Sequence, residues 1–149
     1  MYFYQRLRDL REDNDRSQSE IAEILNTSRE QYSRWESGKR ELPMHNFIAL
    51  ARYYSVSLDY LAGLVSEPRK LECTEPYMCY YKRLRELRKN NGKSQSEISE
   101  ILNTLQEQYS RWENGKRELP MHHFITLARY YNVSLDYLAG LISEPRKLR

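Results

Sequence analysis

The chain repeats itself. Arg6-Leu-Arg recurs at Arg83, Gln18-Ser-Glu-Ile at Gln95 and Trp35-Glu at Trp112, at a constant offset of about 77 residues. Roughly three-quarters of the aligned positions are identical, so the two copies share caps, core pattern and turns and must share one fold. The 149 residues therefore divide into two small domains of roughly 65 to 70 residues each, not one medium one. The expected boundaries are 1–66 for the first domain, 67–78 for a linker and 79–149 for the second domain with its short basic tail. Pro68 and Pro76, among charged and small residues, argue that the linker has no core of its own. Fully extended, its roughly 15 residues from Leu64 to Tyr80 reach about 50 Å.

Within the first copy, Phe3, Leu7 and Leu10 recur at helical spacing, as do Tyr80, Leu84 and Leu87 in the second. Ser17-Gln18-Ser19-Glu20 is a capping box ahead of Ile21, Ile24 and Leu25, which starts a second helix that ends near Asn26. A third helix starts from Thr27 or Ser28, carries Tyr32 and Trp35 on one face, and stops at Gly38. Pro43 opens a fourth, with Phe47, Leu50, Ala51 and Tyr54 at core spacing. Ser57 caps a fifth whose buried side is Leu58, Leu61 and Leu64. No segment makes a convincing strand, so the expected fold is all-α: two tandem five-helix domains.

Composition narrows the function classes. The net charge is only +3, which is weak evidence for a nucleic-acid partner taken alone. Its distribution is uneven: about 11 basic and 12 acidic residues up to Glu72 against about 13 and 8 from Met78 onward. No apolar run approaches a membrane span, and basic and apolar residues alternate near Met1, unlike a secretory signal. Cys73 and Cys79 match no common metal spacing and are expected as reduced thiols, with a disulfide across the linker as the alternative. His45, His122 and His123 lack a convergent ligand set. Neither a nucleophile-base pair nor a phosphate-cradling glycine loop is present, so the chain is expected to be no enzyme and to use no cofactor or metal.

A short helix starting Ser-Gln-Ser-Glu, a tight turn at Asn26-Thr27, then a helix through Tyr-Ser-Arg-Trp-Glu-Ser-Gly-Lys resembles the Cro and lambda-repressor-like (XRE-type) helix-turn-helix family. The resemblance spans nearly all of both copies. It implies that the third helix lies in the DNA major groove and the second crosses the backbone. It also implies that Gln18 and Gln95, at the amide-rich start of the second helix, grip a phosphate, with solvated capping as the other reading. Lys39, Arg40, Lys116 and Arg117, just after the turn glycine, are then expected at phosphates, unless their loop is merely solvated. Arg11 with Glu36, and Arg88 with Glu113, match the family's largely buried salt bridge and are expected to be structural. Bacterial or phage origin, cytoplasmic location and association with the nucleoid when bound follow from the same resemblance.

Geometry supplies the base-reading candidates. With Tyr32 and Trp35 inward, a period of 3.6 turns Glu30, Ser33, Arg34 and Ser37 outward, with Ser28 and Arg29 at the N-terminal flank. The second copy offers Leu105, Gln106, Glu107, Ser110, Arg111 and Asn114. Arginine suits the two acceptors of guanine, whereas a glutamine amide suits the acceptor and donor of adenine. Leu105, in place of Ser28, could meet only a thymine methyl or a protein neighbour. Glu30 either accepts from a cytosine amine or pairs with Arg34 one turn on. Most of the thirteen tyrosines fall on core positions, while Tyr53 and Tyr60 suit an interface.

The expected function is sequence-specific binding of double-stranded DNA by a transcriptional regulator, expected as a repressor, whose domains read adjacent non-identical half-sites. A protein-interaction factor of antitoxin or repressor-sequestering type is the alternative, motivated by Glu12-Asp13-Asn14-Asp15 where the second copy has Lys89-Asn90-Asn91-Gly92. A homodimer and an intramolecular pseudo-dimer are both open, with Leu58 to Leu64 and Leu135 to Leu141 as candidate contacts. Neither domain is expected to have room for a sizeable pocket, so no small-molecule ligand is expected.

Overall fold

The computed structural model describes residues 3–74 and 78–147, with Phe3 described for its backbone only. Expectations placed on Met1, the Phe3 side chain, Pro76 and Arg149 lie outside the described residues. The chain divides into two compact units, one up to Leu71 and one from Glu72. The first holds α1 (Phe3–Asp13), α2 (Gln18–Ile24), α3 (Arg29–Glu36), α4 (Met44–Tyr54) and α5 (Leu58–Leu61). The second holds α6 (Tyr80–Asn90), α7 (Gln95–Ile101), α8 (Gln106–Glu113), α9 (Met121–Tyr131) and α10 (Leu135–Leu138). No strand forms among the described residues, and a single antiparallel bridge joins Val56 to Lys70.

Local chemistry sets the helix ends. Ser17 accepts from the Glu20 amide while Glu20 accepts from the Ser17 amide, and Ser94 and Glu97 repeat this reciprocal cap. Pro43 and Pro120 precede α4 and α9 with fixed φ and no N–H to satisfy. Gly38 takes φ +78° after α3, where a Cβ would lie 2.8 Å from the Tyr4 ring, so the stop needs glycine twice over.

In the first unit α3 packs on α2 and α1, and α5 on α4 and α1. Leu7, Ile21, Tyr32, Leu42, Met44, Phe47, Leu50, Leu58 and Leu61 are wholly buried between them. Each such side chain contributes about 1.5 to 3 kcal/mol relative to exposure. Leu84, Ile98, Tyr109, Leu119, Phe124, Leu127, Leu135 and Leu138 do the same in the second.

The structure adds three points to that reading. Ile24 and Ile101 stand 45% and 40% exposed, whereas Ile21, Ala22 and Leu25, and Ile98, Ser99 and Leu102, face inward. Leu58 and Leu61, candidates for a dimer contact, are fully covered inside their own unit, and Leu64 is half-buried. The interval read as a linker without a core of its own is hydrogen-bonded at several of its described residues. The Ser57 amide donates to the Arg69 carbonyl (2.8 Å) and the Leu71 amide to the Ser55 carbonyl (3.3 Å), while the Thr74 amide donates to the Leu141 carbonyl (2.9 Å). Such bonds satisfy backbone groups that a spacer would leave to water.

Candidate nucleic-acid interface

The α2-turn-α3 segment is fixed before any partner arrives. Asn26 turns the chain at φ 56°, a left-handed conformation that asparagine tolerates, and Ser28 then caps α3 through the Gln31 amide. Tyr32 and Trp35 meet edge to face with centroids 6.5 Å apart and anchor the inner side of α3. Tyr109 and Trp112 repeat that contact in α8.

Behind this surface sits a buried carboxylate in each unit. Arg11 grips Glu36 bidentately, Nε to Oε2 and Nη2 to Oε1, both at 2.8 Å, and also donates to the Arg16 carbonyl. Arg88 grips Glu113 the same way, at 2.9 and 2.7 Å. Burial pushes the Glu36 carboxyl up, but hydrogen bonds from Arg11 and Gln18, with the Tyr32 hydroxyl close by, outweigh it and hold the group below its ordinary value. Glu113 is held down in the same manner. The Tyr32 hydroxyl faces this carboxylate without a hydrogen bond of good geometry, and burial drives its pKa far up. These pairs lock α1 to α3 and α6 to α8, so they orient the outward faces without touching a ligand.

Gln18 and Gln95, expected at phosphates, turn their amides inward. Gln18 Nε2 donates to Glu36 Oε1 at 3.3 Å and Gln95 Nε2 to Glu113 Oε1 at 3.4 Å, because a buried carboxylate attracts a neighbouring amide donor. Each Nε2 keeps a second hydrogen, and the helix start keeps its free backbone amides.

Outward, Ser28, Arg29, Glu30, Arg34 and Ser37 are exposed and Ser33 is half-buried. No ion pair joins Glu30 to Arg34 among the described residues, which leaves the Arg34 guanidinium facing solvent. The Ser37 hydroxyl donates to the Arg34 carbonyl (3.2 Å). On α8, Gln106, Glu107, Ser110, Arg111, Asn114 and Lys116 line one shallow groove of about 330 Å³. Gln106 Nε2 donates to Gln95 Oε1 at 2.9 Å, so its own carbonyl oxygen and second N–H project outward in a fixed plane. Arg29 has no such tether. Leu105 replaces the Ser28 cap, leaves α8 without a side-chain cap, and is 75% exposed. Lys39, Arg40, Lys116 and Arg117 are all exposed on the segment after α3 or α8.

Two arginine pairs were not singled out beyond marking the repeat. Arg85 Nη2 donates to Asn114 Oδ1 (2.6 Å), and Asn114 Nδ2 donates to Ser110 Oγ (3.3 Å), so a base-reading candidate is steered by α6. Arg8, the matching residue, lies 3.5 Å from Glu36 just as Arg85 lies 3.5 Å from Glu113, but the first unit has Ser37 where the second has Asn114. Arg6 and Arg83 stack over Tyr60 and Tyr137 at 4.0 and 3.8 Å and donate to those residues' carbonyls at 2.6 Å. Tyr60, expected at an interface, is thereby engaged inside its own unit.

Two family models described as helix-turn-helix match the chain in tandem, at residues 7–61 and 81–144. The chain belongs to the helix-turn-helix family. Both of its helix-turn-helix domains carry the motif on α2-turn-α3 and α7-turn-α8. An uncharacterized HTH-type transcriptional regulator of Bacillus subtilis, YobD, is 33% identical over 66 residues, which is 44% of this chain and 59% of that one. The HTH-type transcriptional activator BcrR of Enterococcus faecalis is 36% identical over 61 residues, 41% of this chain and 30% of that one. The helix-turn-helix chain thus spans less than two thirds of the length of either relative. A transcriptional regulator from Listeria innocua, solved by crystallography, has a TM-score of 0.41 at 26% identity over 66% of this chain and 84% of its own. No helix among the described residues is long and apolar enough to cross a membrane.

Proposed function

We propose that the chain is a sequence-specific transcriptional regulator that binds double-stranded DNA through both domains, each reading one of two adjacent, non-identical half-sites. The supporting observation is that the two recognition helices stand on the same buried frame yet present different groups at their first exposed turn: Ser28 and Arg29 on α3, Leu105 and Gln106 on α8. An exposed guanidinium favours guanine, and an amide held in one plane favours adenine, whose N7 and N6 it matches. Lys39, Arg40, Lys116 and Arg117 set the register on phosphates, with the Gln18 and Gln95 helix starts beside them. Relatives named as HTH-type transcriptional regulators agree with this class. Occupancy of a promoter by such a chain gives repression as the first expected outcome in a reporter assay.

A binding-site selection at fixed salt tests the reading. The wild type should yield an asymmetric site with one guanine-bearing and one adenine-bearing half. The double exchange Arg29→Gln with Gln106→Arg should swap these preferences between the halves, each changed base contact being worth about 1 to 3 kcal/mol. Selected sites that do not change with the exchange would refute the assignment.

A further inference from the structure

In the second unit, Glu72, Thr74 and Met78, which precede α6, bond to the chain that leaves α10. The Thr74 amide donates to the Leu141 carbonyl (2.9 Å) and the Met78 amide to the Gly140 carbonyl (3.2 Å). The Ser143 amide donates to Thr74 Oγ1 (2.9 Å), and Arg146 Nη2 donates to the Glu72 carboxylate (2.6 Å). Approach is so close that a Cβ on Gly140 would fall 1.9 Å from the Met78 carbonyl oxygen. Beneath this strap Leu141 and Ile142 keep only 5% and 1% of their surface.

The first unit carries the same receptor. One repeat earlier, Gly63, Leu64, Val65, Ser66 and Arg69 stand where Gly140, Leu141, Ile142, Ser143 and Arg146 stand. Here Leu64 and Val65 are only half-buried, and with Gln5, Arg6, Asp9, Gly63 and Ser66 they line an open cleft of about 490 Å³. The cleft is open at the surface, and its mixed lining suits a segment of chain better than an enclosed small molecule. Among the described residues, no donor reaches the Leu64 carbonyl. Arg69 is exposed, and its carbonyl, not its guanidinium, is what holds Ser57.

We propose that this cleft is a docking site for an extended peptide segment of a partner protein, one that carries a carboxylate followed two residues later by a threonine or serine. The occupant's chemistry is read from Glu72 and Thr74 on the duplicate receptor: the acid meets Arg69, the hydroxyl meets the Ser66 amide, and the backbone amide beside it meets the Leu64 carbonyl. Such a mode takes affinity from backbone bonds and selectivity from the paired charges. None of the lining residues lies on α2 or α3, so the site stands apart from base reading and does not depend on it.

The probe is a fluorescein-labelled peptide, Leu-Glu-Ser-Thr-Glu-Pro-Tyr-Met, which is the Leu71–Met78 sequence with serine for cysteine. It is titrated into the full chain by anisotropy, and the contacts are mapped by amide chemical shifts. Saturable binding that moves the Leu64 and Ser66 amides is expected. Arg69→Glu should weaken it about 5-fold or more, the effect of losing roughly 1 kcal/mol from one ion pair. A peptide with lysine in place of its first glutamate should recover the loss on Arg69→Glu and bind the wild type poorly. The proposal is overturned by no saturable binding, by shifts confined to residues 140–146, or by binding that appears only once Met1 and Tyr2 are removed, since those two residues would then be the occupant. A dimer in sedimentation that the peptide dissociates would make a second copy the occupant and overturn it likewise.

Discussion

Leu105 shows how one position can trade scaffold stability against recognition. Ser28 caps α3, but its counterpart caps nothing and exposes an isobutyl group where a base pair is expected. Leu105→Ser should therefore stabilise the second domain by about 1 kcal/mol, measured by chemical denaturation. The same variant should stop distinguishing thymine from deoxyuracil in the second half-site, whereas the wild type should bind the deoxyuracil site more weakly, because only the C5 methyl differs. A stabilised variant that binds less well cannot owe its loss to unfolding. Ser55 offers a second contrast. It closes α4 in the left-handed region at φ 56°, where the duplicate uses Asn132 at φ 55°. Asparagine adopts that conformation more readily, so Ser55→Asn should raise the melting temperature of the first domain, by the equivalent of about 0.5 kcal/mol.

At the scale of elements, the α1–α3 and α6–α8 junctions hang on Glu36 and Glu113, whose side chains are fully covered. Their carboxyls are held below the ordinary value in the folded chain, so their contribution is complete above the unfolded pKa and is lost as pH falls through the depressed folded one. Unfolding titrations should show stability declining below about pH 4.3, where unfolded glutamates take up protons. Glu36→Gln should flatten that acid limb for the first domain alone. Arg11→Met should cost about 3 to 5 kcal/mol at neutral pH, since it strands a buried carboxylate, and any loss of DNA binding should track the melting curve. The caps and the inward aromatics of these elements were legible in the sequence because they are local and occur twice. The spacing of Ile21, Ile24 and Leu25 does not say which of them faces solvent, because a seven-residue helix is too short to define the edge of its apolar stripe. The seats of Arg6 and Arg83 over tyrosines 54 residues away, and the inward turn of Gln18, depend on the tertiary path and leave no periodic trace. The bound linker escaped notice for a related reason: its hydrogen bonds are made by backbone, which any residue supplies.

For the molecule as a whole, a common scaffold carries unequal charge. Glu12-Asp13-Asn14-Asp15 spans the end of α1 where Lys89-Asn90-Asn91-Gly92 spans that of α6. Replacing the acidic stretch with the basic one should raise DNA affinity and steepen its dependence on salt, read from log Kd against log salt, because fewer like charges then oppose the phosphates. The seam between the units has a further use. Leu71 is held by Ser55 in one unit and Glu72 by Arg146 in the other, so the two folded bodies share a single peptide bond as their border. Residues inserted at that bond disturb neither body, and each adds about 3.3 to 3.6 Å of reach. That increment nearly equals the rise of one base pair, about 3.4 Å. The seam is therefore a vernier: chains lengthened there by one to four residues should select operators whose halves lie progressively farther apart, a spacing that repeated site selection would read off directly.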